Sequence, residues 1–331
     1  MVIGVVPADT DRAGAPGDAA QGAGSGGPDH TGPVTPDEGA ERSAERSGPP
    51  TPGPLQVVLA AVMVLCVAAV FLGVFAFGLS GLQEQRSQHL LYAEFRGLLD
   101  PSSTIAPSIG GRIPAGTPVA LIDAPVAGLH KVIVVEGTTS GDLLAGPGHR
   151  SNSPLPGQAG ASVIVGRSAT AGAPFAGIAG LRRGETVHVR TGQGAFRYTV
   201  VGRVVAGHAL PSYRSDSGLL VLVTSAGSGW AGPLASDRLV YVVARLDGTA
   251  VATPRGRPRT VPPAATQGHV DPAGLPFALL WMVVLMAVSA LCWRAWYRWG
   301  LLRTWMVGAP VLFAVLWAFS NEAMRLLPNV Y

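Results

Sequence analysis

From Val57 to Leu82 the chain carries no charged side chain. A helix crosses the hydrocarbon core of a bilayer with about 20 apolar residues. A buried helix in a soluble protein rarely runs so far without a charge, so residues 55–82 read as a transmembrane helix. Two more runs of this kind follow near the other end. Leu275 to Trp293 is uncharged, and Thr304 to Ser320 is uncharged but interrupted by Pro310. Composition agrees. Only 13% of the 331 residues are charged and 48% are hydrophobic, whereas a soluble domain carries about a quarter charged residues. A purely soluble protein is excluded.

Between the second and third runs stands RAWYRWGLLR, with Arg294, Arg298 and Arg303 among Trp293, Trp296, Tyr297, Trp299 and Trp305. Arginines beside spans mark the cytoplasmic side, and Trp and Tyr sit at headgroup level. Residues 294–303 are therefore expected to form a cytoplasmic turn between helices at 275–293 and 304–320. That puts the amino terminus inside, and residues 83–272 and a tail at 321–331 outside, in a multi-pass plasma-membrane protein. Arg255, Arg257 and Arg259 would then lie outside, against the trend.

Residues 1–54 contain no aromatic side chain and are dominated by Gly, Pro, Ala, Ser and acidic residues. They are expected to be a disordered cytoplasmic tail, since such a segment buries too little apolar surface to offset its ordering entropy. A connecting segment at 83–112 and a Pro/Gly/Arg-rich tether at 248–274 flank an outer domain at 113–247. The two cysteines, Cys66 and Cys292, both lie in apolar runs. This rules out a disulfide framework and a cysteine-ligated zinc site. No metal site, cofactor motif or nucleic-acid signature is present. Residues 95–248 hold 13 basic and 8 acidic side chains. That excess admits an anionic cell-wall polymer as a partner, although a scattered excess is usually a solvated surface.

In the outer domain, short β-branched runs alternate with Gly, Pro and Asp. Strands are expected at Val119–Ile122, Lys131–Val135, Ser162–Val165, Thr186–Arg190, Phe196–Val205, Leu219–Val223 and Leu239–Arg245. A short helix is expected at Pro174–Leu181. Seven or more short strands point to a closed barrel or a sandwich.

Four stretches carry a family resemblance: residues 118–149 (PVALIDAPVAGLHKVIVVEGTTSGDLLAGPGH), 155–167 (LPGQAGASVIVGR), 172–189 (GAPFAGIAGLRRGETVHV) and 220–246 (LVLVTSAGSGWAGPLASDRLVYVVARL). In this order they resemble the sortases, membrane-bound cysteine transpeptidases of Gram-positive cell surfaces, and most of all the actinobacterial class D and E type. The resemblance implies a mainly β protein, with a sortase-like eight-stranded β-barrel outside and three transmembrane helices. It also implies a histidine after the glycine of the V-I-x-G-H strand end, a cysteine closing a T-L-x-T-C strand, and an arginine opening the next strand. At the matching positions this chain has Arg167, Ser225 and Arg238. Only the arginine is kept.

A thiol is readily made a thiolate, whereas a serine hydroxyl needs a base, and a guanidinium is not one. Arg167 and Arg238 together favour an anionic or carboxylate partner. The residues thus predict a pseudoenzyme whose barrel presents its cleft to an extracellular peptide or protein. A second reading keeps an enzyme, with Ser225 as nucleophile, Arg238 at the oxyanion and His149 or His208 as base. A third makes the span hairpin the working part of a membrane assembly. For His149 the plainer expectation is a local loop hydrogen bond, for His188 a solvent-facing or packing role, and for Arg167 an ion pair with Asp216 or Asp237.

Overall fold

The computed structural model describes residues 53–100, 111–205, 217–225, 239–266 and 268–327. The amino-terminal tail at 1–52, and His208, Asp216, Asp237 and Arg238, lie outside the described residues.

The first span is part of a longer helix than its apolar run. Pro54–Val74 (α1) passes through a π-helical turn at Phe75–Leu79 into Ser80–Leu99 (α2). Pro54 suits the first turn, where its missing N–H costs nothing. The apolar run sets how much of the helix suits lipid, but nothing at Leu82 ends it. Residues 83–99, the first part of the expected connection at 83–112, are helix, which rests on the barrel. Gln88 on α2 takes the place of a neighbouring strand. Its amide accepts from the Ile133 N–H at 2.7 Å and donates to the carbonyls of Ile133 and Ala145 at 3.1 and 2.9 Å.

The remaining two spans are Leu275–Trp299 (α4) and Leu301–Arg325 (α5). All three helices are long and apolar enough to cross a membrane. The expected ten-residue turn is reduced to Gly300 at φ +81, a left-handed position that glycine adopts without strain. α5 continues through Pro310 without a break, since leaving the helix inside hydrocarbon would orphan further backbone groups.

Eight strands form a closed barrel: Pro118–Ala124 (β1), Leu129–Glu136 (β2), Gly148–His149 (β3), Gly160–Val165 (β4), Thr186–Thr191 (β5), Gly194–Val205 (β6), Gly218–Ser225 (β7) and Leu239–Leu246 (β8). Their order around the barrel is β1-β2-β3-β4-β7-β8-β6-β5. β2–β3 and β4–β7 pair in parallel. All seven expected strands are present. The eighth, β3, has only two residues, too few to show any periodicity. The expected helix at Pro174–Leu181 shrinks to a 3-10 turn at Ile178–Gly180. A four-residue helix, Asp142–Ala145 (α3), precedes β3.

β5 and β7 show how sequence encodes position. Thr186–Thr191 alternates exposed and buried residues, with His188 exposed, as a strand with one face in water does. Every residue of β7 is buried. Leu220 and Leu222 face the barrel core, whereas Val221 and Val223 pack with Leu143, Val165 and Leu239 in a second apolar cluster.

Candidate functional site

The carboxyl ends of β4 and β7 set the site. Because these strands run parallel and in register from Gly160↔Gly218 to Val165↔Val223, the residues that follow them emerge side by side. The Gly166 N–H donates to the Val223 carbonyl at 3.0 Å, and the Thr224 hydroxyl donates to the Gly166 carbonyl at 3.2 Å. Gly166 must be glycine here, since a Cβ would lie 2.3 Å from the Phe175 ring. Phe175 is fully buried and its N–H bonds the Arg167 carbonyl. The V-G-R strand end and the G-A-P-F segment thus form one packing unit.

Ser225 closes β7 and is buried. Its Oγ meets the Ser168 Oγ at 2.6 Å. Arg167 is only 3% exposed. Its Nη1 donates to Thr170 Oγ1 at 3.1 Å, and its Nη2 donates to Ser140 Oγ at 2.7 Å and to the Ser140 carbonyl at 3.3 Å. Its Nε is buried without a partner among the described residues. All these partners are neutral oxygens. The ion pair expected with Asp216 or Asp237 lies outside the described residues. Burial pushes the guanidinium down to about 10, so it is still a cation at neutral pH.

The Arg167 contacts lead toward the membrane helices. Ser140 donates its hydroxyl to the carbonyl of Met324, in the last turn of α5, at 3.2 Å. A cation beside a helix carboxyl end is favoured by the helix dipole. The loop beyond Arg167 carries three consecutive left-handed residues, Ala171, Gly172 and Ala173 at φ 52, 71 and 49. Such strain persists only where surroundings enforce it. Here the Ala171 N–H bonds Ser80 Oγ at 3.1 Å, and Ala171 packs with Phe75, Ala76, Leu144 and Met324. The end of the barrel that holds Arg167 is therefore seated on the ends of the first and third spans.

His149 is not brought to Ser225. It is fully buried on β3. Its Nδ1 lies 2.8 Å from Glu136 Oε2, and its Nε2 lies 3.0 Å from the Pro154 carbonyl and 3.1 Å from Ser153 Oγ. Ser153, His149 and Glu136 follow the order of a hydrolytic triad. However, the Ser153 hydroxyl donates to the Arg150 carbonyl at 2.8 Å and accepts from the Val163 N–H at 3.1 Å. It offers the imidazole a lone pair rather than a proton. Both ring nitrogens face acceptors, which is the reverse of what a general base requires.

Glu136 also accepts from Arg257 Nη1 at 2.8 Å. Arg257 belongs to the segment after β8, expected as an extended tether. That segment is tied down along its course. Val251 pairs with Gln158, the Thr253 hydroxyl donates to the Ala159 carbonyl, and the Thr138 hydroxyl donates to the Ala265 carbonyl. Between it and the outer face of β4, β7 and β8 lies a groove of about 320 Å³, walled by Val163, Val221, Val223, Tyr241 and Ala265 with Arg150 at its rim. Among the described residues no group of His, Cys, Asp and Glu is placed to hold a metal ion.

Sequence reading gave no site role to Ser168, Ser140, Glu136 or Arg257. Ser168 stands next to Arg167 and was within reach of a local inspection. The other three meet their partners only through long-range contacts.

The sortase-domain family model matches residues 122–246. No curated protein matches the chain. Among solved structures, the sortase D5 transpeptidase of Clostridium perfringens is 22% identical, covering 49% of this chain and 99% of its own, with a TM-score of 0.39. Sortase E of Streptomyces avermitilis is 25% identical, covering 41% and 92%, with a TM-score of 0.33. Clostridium perfringens sortase C, solved with the C-terminal cell wall sorting motif, is 17% identical, covering 50% and 90%, with a TM-score of 0.35.

Proposed function

We propose, from the premise that residues 122–246 are a sortase domain, that this chain is a membrane-anchored member of that class that does not transfer peptides. Its barrel groove instead presents a binding surface to an extended peptide or protein segment outside the membrane. The observation that carries this reading is the partner of Ser225. The hydroxyl at the nucleophile position meets Ser168 and no imidazole among the described residues. A serine without a base within hydrogen-bond reach is a poor nucleophile. Arg167 cannot take the proton, and both nitrogens of His149 are engaged elsewhere.

The groove on β4, β7 and β8 suits an extended segment. Its valines supply apolar contact, and Arg150, exposed at the rim, suits a carboxylate. The spans support an outward-facing barrel. The barrel sits at the Ser80 and Met324 ends of the helices, while Arg294, Arg298 and Arg303 cluster at the Gly300 end. At about 1.5 Å per residue, α5 separates these ends by roughly the thickness of a bilayer. Arginines on the inside then put the barrel outside.

The test is labelling of the full chain with a serine-directed fluorophosphonate, alongside incubation with a sorting peptide. The expected result is neither labelling nor cleavage. Labelling that disappears in Ser225→Ala would establish the alternative, in which Ser225 acts with Arg238 and a histidine.

A further inference from the structure

The groove on β4, β7 and β8 is closed to a partner as it stands. Its floor holds Val165, Val221 and Val223, which turn away from the barrel core and would lie in water on a bare sheet. Instead they are only 1 to 3% exposed. An extended segment binds such a surface by seating side chains on it, so one wall of the groove has to move first.

Most of the enclosure is built to stay. The floor strands are paired in register from Gly160↔Gly218 to Val165↔Val223. α3 brings the fully buried Leu143 against the valines. It is held by Gln88, which donates to the Ala145 carbonyl, and by Asp142, which accepts from the Thr139 N–H and hydroxyl at 3.1 and 2.8 Å. The wall supplied by Ala265 and Thr266 is of another kind. It belongs to residues 251–266, whose regular structure amounts to the bridge at Val251 and a 3-10 turn at Pro263–Ala265. Ala265 is the one residue of this segment that is buried outright. Few buried contacts and an exposed backbone mark a segment that opens at lower free energy than a core.

Among the described residues, polar contacts hold the segment down at two places. Near the end of β8, the Val251 N–H donates to the Gly157 carbonyl and the Ala159 N–H to the Val251 carbonyl, both at 2.8 Å, and the Thr253 hydroxyl donates to the Ala159 carbonyl at 2.6 Å. Farther along, Arg257 Nη1 donates to Glu136 Oε1 and the Thr138 hydroxyl to the Ala265 carbonyl, each at 2.8 Å. The first place is a hinge and the second a latch. The latch is only partly satisfied, since Arg257 Nε and Nη2 are buried without a partner among the described residues. Lifting the segment returns those donors to water, which offsets part of the lost ion pair.

We propose that residues 251–266 are a strap that gates the groove, hinged at Val251 and latched through Arg257 and Thr138, and that a partner segment reaches the valine floor only when the strap lifts. This rests on the reading of the groove as a binding surface, but lifting is measurable with no partner present.

The experiment uses the full chain in mild detergent with Cys66→Ala and Cys292→Ala, so that an introduced thiol is the only one. Val223→Cys reports on the floor. Leu222→Cys, at a fully buried position facing the barrel core, reports on unfolding. Each is exposed to a polyethylene-glycol maleimide too large for the closed groove. Val223→Cys is expected to react slowly, about tenfold faster with Arg257→Gln and about threefold faster with Thr138→Val, while Leu222→Cys stays unreactive throughout. Where Arg257→Gln also exposes Leu222→Cys, Thr138→Val decides. A floor thiol that reacts no faster in the latch variants, or only together with Leu222→Cys, would overturn the strap. A serine-directed label on Ser225 would overturn the non-catalytic reading and leave the strap standing.

Discussion

Among the described residues, Arg167 is buried and the Arg257 side chain nearly so, and the two are held differently. The Arg257 side chain, 9% exposed, meets the Glu136 carboxylate, which also faces the His149 ring. Among the described residues, Arg167, 3% exposed, meets only hydroxyls and a carbonyl. The first is a compensated charge that fixes the segment after β8 to the barrel wall. The second has no opposite charge among the described residues and sits between the barrel and the spans, beside neutral dipoles and a helix end. Breaking a paired buried charge is strongly destabilising, whereas removing a buried charge with no counter-charge relieves its desolvation cost. The comparison separates a residue that holds the fold together from one that the fold merely accommodates.

The largest expected effect tests the compensated side. Glu136→Gln leaves His149 and Arg257 facing a neutral amide and should cost about 3–5 kcal/mol in thermal or denaturant unfolding of the full chain. Arg167→Met should leave stability unchanged or raise it by about 1 kcal/mol. If Arg167→Met were as damaging as Glu136→Gln, the distinction between the two arginines would collapse.

A middle-sized effect probes the packing that places Arg167. Gly166→Ala drives a methyl into the Phe175 ring and should cost about 1–3 kcal/mol by overpacking. Ser225→Ala removes one hydrogen bond to Ser168 and should cost about 1 kcal/mol. A much larger loss would mean that the hydroxyl pair has further partners.

The smallest effect appears in alkali and distinguishes the uncompensated cation from a buried phenol. Burial pushes Tyr198 up to about 12 from the usual 10, although its oxygen accepts the Gly157 N–H. The unfolded chain releases that proton first, so this group lowers stability as pH rises from about 10 to about 12. Burial brings the Arg167 guanidinium down from its ordinary, higher value to about 10 when folded. The folded chain releases that proton first, so this group raises stability across nearly the same window. The two slopes oppose each other in the unchanged protein. Tyr198→Phe should leave a rising profile and Arg167→Met a falling one, measured by unfolding between pH 9.5 and 12. Parallel profiles in the two variants would show that neither group titrates as its burial implies.

Much of the fold was legible in the chain. The spans follow from uncharged length, and β5 from strict alternation. β7 follows from a continuous apolar run, because both of its faces are covered. What was missed has a common cause. β3 has two residues and owes its pairing to β2 and β4. The helix at 83–99 is too polar to read as a span and is held by Gln88 against a strand edge. The segment after β8 looks like a loose linker because proline, glycine and arginine compose it, yet one of those arginines is the partner of a buried carboxylate. At the site the replacements at 167 and 225 were visible, but their surroundings were not.

Local sequence settled which groups stand at the ends of β4 and β7: a guanidinium and a hydroxyl, neither able to act as a base. It also settled which stretches prefer lipid, because hydropathy is a property of each residue. Tertiary structure alone decided what those groups touch. Arg167 reaches Ser140, whose hydroxyl bonds α5, and Ser225 reaches Ser168, while the one histidine on β3 is bound to Glu136. Contacts between residues so far apart in the chain depend on strand register and helix docking. They are fixed only when the whole barrel closes against the spans.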